Sequence, residues 1–193
     1  LFGPTVVAAY VIARRIWGLM NTPGWGFGLA ASSLVGQELG EGDEREAEAY
    51  ARDIVSFSVA TYVVAAVLVG LFAEPIVSLF VGEGGEATIR VAVALVYAAC
   101  VASVAQGVKS ATAGPLDASG DTRWTFYSQV LGMFGVAIPV AYLGASSSLG
   151  LVGLYLSFVA ETTVPALVNY YRFSTGKWKA ISREFRPGAS ADD

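Results

Sequence analysis

The hydrophobic positions of this chain gather into five long runs, parted by short stretches rich in glycine, serine and acid. The runs cover about residues 2–34, 54–80, 89–115, 124–143 and 149–171. Apolar runs near 20 residues match a bilayer core crossed by a helix, whereas β-barrel strands would give short alternating segments, which the sequence lacks. The pattern predicts an all-α integral membrane protein with five transmembrane helices. No connection is long enough to separate two domains, so residues 1–171 are read as one bundle. The first run is long enough to bend, and Asn21-Thr22-Pro23-Gly24 is expected to supply the break. Proline removes a backbone hydrogen bond there, and Gly24, Gly26 and Gly28 loosen the next turns. Glu74-Pro75 stands near the exit of the second run. Turns are expected at Gly82-Glu83-Gly84-Gly85, at Asp117-Ala118-Ser119-Gly120-Asp121 and at Gly144-Ala145-Ser146-Ser147-Ser148. The tail, 172–193, is polar and predicts a short amphipathic helix followed by disorder.

Composition strengthens the membrane reading. Hydrophobic residues make up 54% and charged residues 15%, against about 25% charged in a soluble domain. Trp124, Phe126 and Tyr127, and then Tyr170, Tyr171, Phe173 and Trp178, crowd the ends of runs, as an interfacial aromatic belt requires. The single cysteine, Cys100, lies within an apolar run and is read as packing. Histidine is absent, which removes His metal sites and His bases, and no Gly-x-x-x-x-Gly-Lys loop offers a nucleotide site. Gly24-x-Gly26-x-Gly28 follows no strand and is read as packing or hinge. No nucleic-acid partner, metal or cofactor is expected.

Charge placement sets a direction. Arg45 and Arg52 flank the first loop, Arg123 the third, and Arg172, Lys177, Lys179, Arg183 and Arg186 the tail. Arg90 alone flanks the second loop, and the fourth has no basic residue. The positive-inside rule then places the first residues outside and the tail, 172–193, in the cytoplasm. An odd number of crossings starting outside, with no basic leader before Leu1, leads to the expectation of at least one helix upstream. Six of the sixteen acids fall between Glu38 and Glu48, and they read as a solvated helix start beside a positive dipole end.

Ionisable groups are costly in hydrocarbon and so are candidates for function. Glu161 is the clearest, near the middle of the fifth run and followed by Thr162, Thr163 and Pro165. Pro165 frees a backbone carbonyl one turn earlier, so carboxylate, carbonyl and hydroxyl oxygens converge where a proton or Na⁺ would bind. A protonated glutamate that merely fixes helix packing is the alternative. Arg14 and Arg15 lie inside the first run and must face protein, a wet cavity or the outer interface. Lys109 is placed for snorkelling or substrate contact. Gln106, Gln129, Asn169 and Asn21 are cavity-lining or interhelical groups.

Two segments carry a resemblance. One is Gly28-Leu29-Ala30-Ala31-Ser32-Ser33-Leu34-Val35-Gly36-Gln37, then Leu39-Gly40, Gly42-Asp43 and Ala47; the other is Ala113-Gly114-Pro115-Leu116 with Ser119-Gly120-Asp121-Thr122-Arg123. They resemble loops of the multidrug and toxic compound extrusion (MATE) family, the first after the second helix of a half and the second after its fourth. Tyr171-Arg172 and Gly176-Lys177-Trp178 are similar to the end of the family's last helix. The resemblance implies helices two to six of the C-terminal six-helix lobe, with the first helix of that half absent. It implies secondary export of organic cations or amphipathic drug-like compounds, from the plasma membrane, in exchange for H⁺ or Na⁺. It also implies a partner N-terminal lobe, without which this portion is expected to be inactive. Pro23, Gly36, Gln37, Gly40, Gly42, Asp43, Gly120 and Asp121 are then hinge or family-pattern residues. Some relatives carry a coupling acid in the fourth helix of this half, where this chain has Gln106, so Glu161 rests on its own chemistry.

Two rival functions fit the same pattern. A flippase for lipid-linked oligosaccharides shares the general fold, and a structural membrane subunit would need the packing but no pathway. An enzyme is disfavoured, since no paired intramembrane carboxylates and no Ser/Lys or Cys dyad is visible.

Overall fold

The first apolar run folds as one helix, α1 (Pro4–Glu41), in a computed structural model that describes residues 2–81 and 85–184. The break expected at Asn21–Gly24 does not occur, because α1 continues through Pro23. Proline is tolerated inside a membrane helix where neighbouring groups meet the backbone it disturbs. Pro23 leaves the Leu19 carbonyl without its α-helical donor, and the Tyr62 hydroxyl braces the same stretch of α1 by donating to the Asn21 carbonyl, 3.2 Å away.

The second run behaves in the opposite way. It forms α2 (Glu44–Leu71), stops at Phe72, and restarts as the short α3 (Ala73–Ser78). Pro75 lacks the N–H that would bond to the Leu71 carbonyl and is well placed in the first turn of a new helix. The single span expected over 54–80 is therefore two helices. Three residues of the next expected turn, Gly82, Glu83 and Gly84, lie outside the described residues, as does the tail from 185 where disorder was expected.

The rest of the bundle is α4 (Glu86–Ala118), a continuous rod over 122–146, α7 (Leu151–Ser174) and α8 (Lys177–Glu184). The rod consists of α5 (Thr122–Val130), a π-helical segment (Leu131–Ala137) and α6 (Ile138–Ser146). Among the described residues, four helices are long and apolar enough to cross a membrane: Glu44–Leu71, Glu86–Ala118, Thr122–Ser146 and Leu151–Ser174. At 38 residues α1 is the longest helix but does not join them, since Arg14, Arg15, Asn21 and Pro23 interrupt its apolar run.

Helix α4 is the axis of the bundle, packed by α1, α2 and α7. Half of its apolar window is buried, against 17–28% for the other three candidate spans. Its buried face is built from small residues, among them Ala92, Ala99, Ala102, Ala111 and Gly114, which let other backbones come close. One apolar cluster, around Ala13, Ile16, Leu95, Val96 and Phe158, fills the Arg14 end. Another, around Val35, Leu39, Leu116, Phe173 and Trp178, fills the opposite end. Large apolar side chains such as Leu19, Trp25, Phe57, Leu71, Phe134 and Leu167 point outward, as lipid-facing surface does.

Candidate ion-coupling site

Two ionisable residues that the sequence offered separately meet in space. Arg14 Nη1 donates to Glu161 Oε2 at 2.8 Å, joining α1 to α7. The pair is partly buried, with 33% of the arginine side chain and 16% of the glutamate exposed. The guanidinium also lies over three rings, Trp17 at 5.0 Å, Phe158 at 5.4 Å and Tyr10 at 6.0 Å. Tyr10 and Trp17 both meet Phe158 edge-on, at 5.9 and 6.1 Å. None of these rings had been singled out, yet the signal was available. Tyr10, Arg14 and Trp17 follow at i, i+4 and i+7, and Phe158 precedes Glu161 by three, which puts each set on one helix face. Glu161 also acts electrostatically on Lys109, the half-buried lysine of α4.

The backbone around Glu161 is irregular on both sides of the α7 contact. Pro165 cannot donate to the Glu161 carbonyl, so that carbonyl has no α-helical partner. Opposite it stands the π-helical segment, with Gly132 facing Pro165. A Cβ on Gly132 would come within 2.6 Å of two Pro165 ring carbons and 3.3 Å of the Glu161 oxygen. Single π turns widen a helix and collect at functional sites. Thr162, next along, donates to the Ala102 carbonyl at 3.1 Å and ties α7 to α4.

Below this pair, between the two apolar clusters, the α1–α2–α4 core is polar. Ser58 Oγ donates to the Gly107 carbonyl at 3.1 Å, and Gln106 Nε2 donates to Ser110 Oγ at 3.0 Å. A Cβ on Gly24 would lie 2.5 Å from the Tyr62 hydroxyl and 2.9 Å from Ser110 Oγ. The buried amide oxygens of Asn21 and Gln106 in this core, and of Asn169 on α7, accept no hydrogen bond among the described residues. Gln129 is half-buried on α5, away from these groups in sequence, and its side chain makes no hydrogen bond among the described residues.

The family-pattern residues build turns. Gly42 closes α1 with φ 92°, its N–H donating to Leu39 O, while Asp43 N–H donates to Glu38 O at 2.9 Å. Asp43 Oδ1 then accepts from the N–H groups of Arg45 and Glu46, capping α2. The same backbone turn recurs after α4. Gly120 has φ 86°, with Gly120 N–H to Asp117 O and Asp121 N–H to Leu116 O. There the aspartate makes no cap; it accepts from Arg172 Nε at 2.6 Å, and Arg172 stacks over Trp124 at 5.1 Å. Of the remaining pattern residues, Gly36 meets Ala118, Gln37 donates to Glu41, and Gly40 faces open space. Pro23 is exposed on α1.

Helix α8 folds back over this end. Trp178 is buried, stacks on Phe173, and donates its indole N–H to the Phe173 carbonyl. Lys179 pairs with Glu48, and Arg183 forks onto Glu44. Glu48 lies in the polar start of α2, before the apolar stretch. Its carboxyl is held below the ordinary 4.5, chiefly because it accepts a hydrogen bond from Lys179, with Arg52 adding to the effect. Since the folded pKa is lowered, the contribution is complete above about pH 4.5 and is lost as pH falls through the lower folded value. The pair is partly exposed, so it is worth about 1 kcal/mol or less. Glu48→Gln should therefore raise hydrogen exchange in 177–184 a few-fold at neutral pH, and the wild type should reach that level only in acid.

The family model MatE matches residues 1–143. The chain is similar to a probable multidrug resistance protein NorM of Bradyrhizobium diazoefficiens, 28% identical over 179 residues, which are 90% of this chain and 38% of that protein. It is also similar to an uncharacterized transporter, YisQ, of Bacillus subtilis, 29% identical over 79% of this chain and 34% of that one. In fold it is similar to the crystal structure of the eukaryotic MATE transporter AtDTX14, with a TM-score of 0.84 at 16% identity, over 96% of this chain and 41% of that chain. The chain spans well under half the length of each of these proteins. On the match over most of its length, and with a bundle that superposes on a solved transporter of the same kind, this chain belongs to the MatE family of multidrug and toxic compound extrusion transporters.

Proposed function

We propose that the chain supplies most of the C-terminal lobe of a secondary active exporter. The transporter moves organic cations or drug-like amphipathic compounds out of the cell, in exchange for H⁺ or Na⁺, by alternating access. The curated relatives named as probable multidrug resistance proteins support the substrate class. The observation that carries the coupling role is the Arg14–Glu161 pair, one ion pair joining two helices of an apolar bundle. A proton on Glu161, or a Na⁺ competing with the guanidinium, removes that tie and lets α1 and α7 shift. The Glu161 carbonyl, deprived of its α-helical donor by Pro165, and the amide oxygens of Asn21, Gln106 and Asn169 supply further acceptors for an ion on its way through. In this reading the Gly42 and Gly120 turns and α8 face the cytoplasm, where the basic residues gather, and the chain exports nothing without the opposing lobe.

Glu161→Gln in the two-lobe transporter tests the site. Efflux of a fluorescent organic cation should drop about tenfold, within the usual range of coupling free energies, and lose its dependence on the H⁺ or Na⁺ gradient. Glu161→Asp should keep that dependence at a lower rate. Unchanged efflux with unchanged gradient dependence in the glutamine variant would reduce Glu161 to a packing residue.

A further inference from the structure

The surroundings of the Arg14 guanidinium are those of a receptor for an organic cation. We propose that Tyr10, Trp17, Phe158 and Glu161 form such a site and that Arg14 fills it as a tethered stand-in, which the transported cation displaces. The proposal rests on the exporter reading and deepens it by naming where the cargo's charge is held.

Ring faces plus one carboxylate are the arrangement that recognises quaternary ammonium and guanidinium ions, because each ring presents a negative face within about 6 Å. Here the three rings stand 5.0, 5.4 and 6.0 Å from the guanidinium carbon, and the carboxylate closes the box at 2.8 Å. The edge-on contacts of Tyr10 and Trp17 with Phe158 fix the walls relative to one another. The walls come from α1 and α7, which meet here through side chains over α4, so the box exists only while those side chains stay together.

The occupant is held loosely for an arginine. A guanidinium carries five N–H donors, and the protein acceptor it uses is Glu161 alone among the described residues. Charge and ring faces therefore do most of the holding, and a cation without any N–H reproduces both. One third of the arginine side chain is exposed, and its long stem lets the head swing out while the stem stays packed. Being tethered, Arg14 competes at an effective concentration of about millimolar or more, which lowers the apparent affinity of any free cation.

Equilibrium binding of tetraethylammonium to the full-length transporter in lipid nanodiscs tests the proposal. Arg14→Met keeps an apolar stem and removes the competitor, so tetraethylammonium should bind about tenfold more tightly than to the wild type. Adding Trp17→Leu or Glu161→Gln to that variant should cancel the gain. If the methionine variant does not stay monodisperse, Arg14→Gln, which still donates to Glu161, should show the same gain in smaller measure. Binding no tighter than the wild type in a folded Arg14 variant would overturn the proposal, and so would a gain that survives loss of both Trp17 and Glu161. The outcomes separate from those of the exporter reading: lost gradient-driven efflux in Glu161→Gln with no gain in Arg14→Met removes the box and leaves the exporter. A gain with no gradient-driven efflux in the wild type does the reverse.

Discussion

Gly114→Val should prevent the α1–α4 pairing and yield a protein that aggregates on extraction. A Cβ at that position would lie 2.6 Å from Ala31 Cβ, 2.6 Å from the Gly28 oxygen and 2.8 Å from the Ser32 nitrogen. Two of those three atoms are backbone and cannot rotate aside, so the helices themselves must part. Overpacking a well-filled interface costs about 1–3 kcal/mol where side chains give way, and more where they cannot. The α1–α4 contact is the largest in the bundle, which places the cost at the upper end. Gly40→Ala is the control, since nothing lies within 4 Å of its added Cβ. Size-exclusion profiles and thermal unfolding in mild detergent should show a monodisperse Gly40→Ala protein and an aggregated Gly114→Val protein. A Gly114→Val protein that melts like the wild type would mean that α1 and α4 do not adjoin this closely.

Arg172→Ala should be nearly as damaging. The side chains of Asp121 and Arg172 are only 6% and 13% exposed, so removing the arginine strands a carboxylate in a nearly closed site. Breaking such a pair from one side typically costs about 3–5 kcal/mol, because the remaining charge is neither solvated nor paired. The Trp124 stacking partner is lost as well. Asp121→Asn combined with Arg172→Met removes both charges and should recover much of the loss. Unfolding midpoints of the two variants decide the matter: a double variant no better than Arg172→Ala would show that the charge pair is not the source of the damage.

The sequence carried the helix runs, the Gly-Asp turns and the two buried charges, because each depends on local chemistry. Gly42 and Gly120 were legible since a left-handed corner favours glycine, and Asp43 since a helix start favours aspartate; the pairing of Asp121 with Arg172 was not. The meeting of Arg14 with Glu161, 147 positions apart, was not legible. In a soluble helix the polar face shows which side is buried. Here lipid and neighbouring helix are both apolar, so the face turned to a partner leaves little mark on the sequence. The same blindness separates Pro23 from Pro75. Both lack an N–H, but Tyr62 reaches the backbone beside Pro23, and only the assembled bundle reveals that. Glycines are equally mute: Gly114 and Gly132 sit under other elements, while Gly26 and Gly40 face open space. The π-helical segment lies against Pro165 of another helix, a neighbour that its own residues do not announce.

Helix α7 is held differently near Arg172 and at Glu161 in its middle. Near Arg172 it is secured by Asp121 and, through α8, by the Trp178 and Glu48 contacts, none of which involves the Glu161 carboxylate. At Glu161 the salt bridge among the described residues is to Arg14, with the Thr162 hydroxyl bonded to the Ala102 carbonyl beside it. Eleven residues separate those points, about 16 Å of helix. The helix is thus a lever with its fulcrum at the secured end. A tilt of about 10° there swings Glu161 by about 3 Å, as far as the ion pair is long. In the proposed mechanism one proton or one sodium ion at Glu161 would then release the arm partway along its length, leaving the Thr162 bond to the Ala102 carbonyl to bend with it.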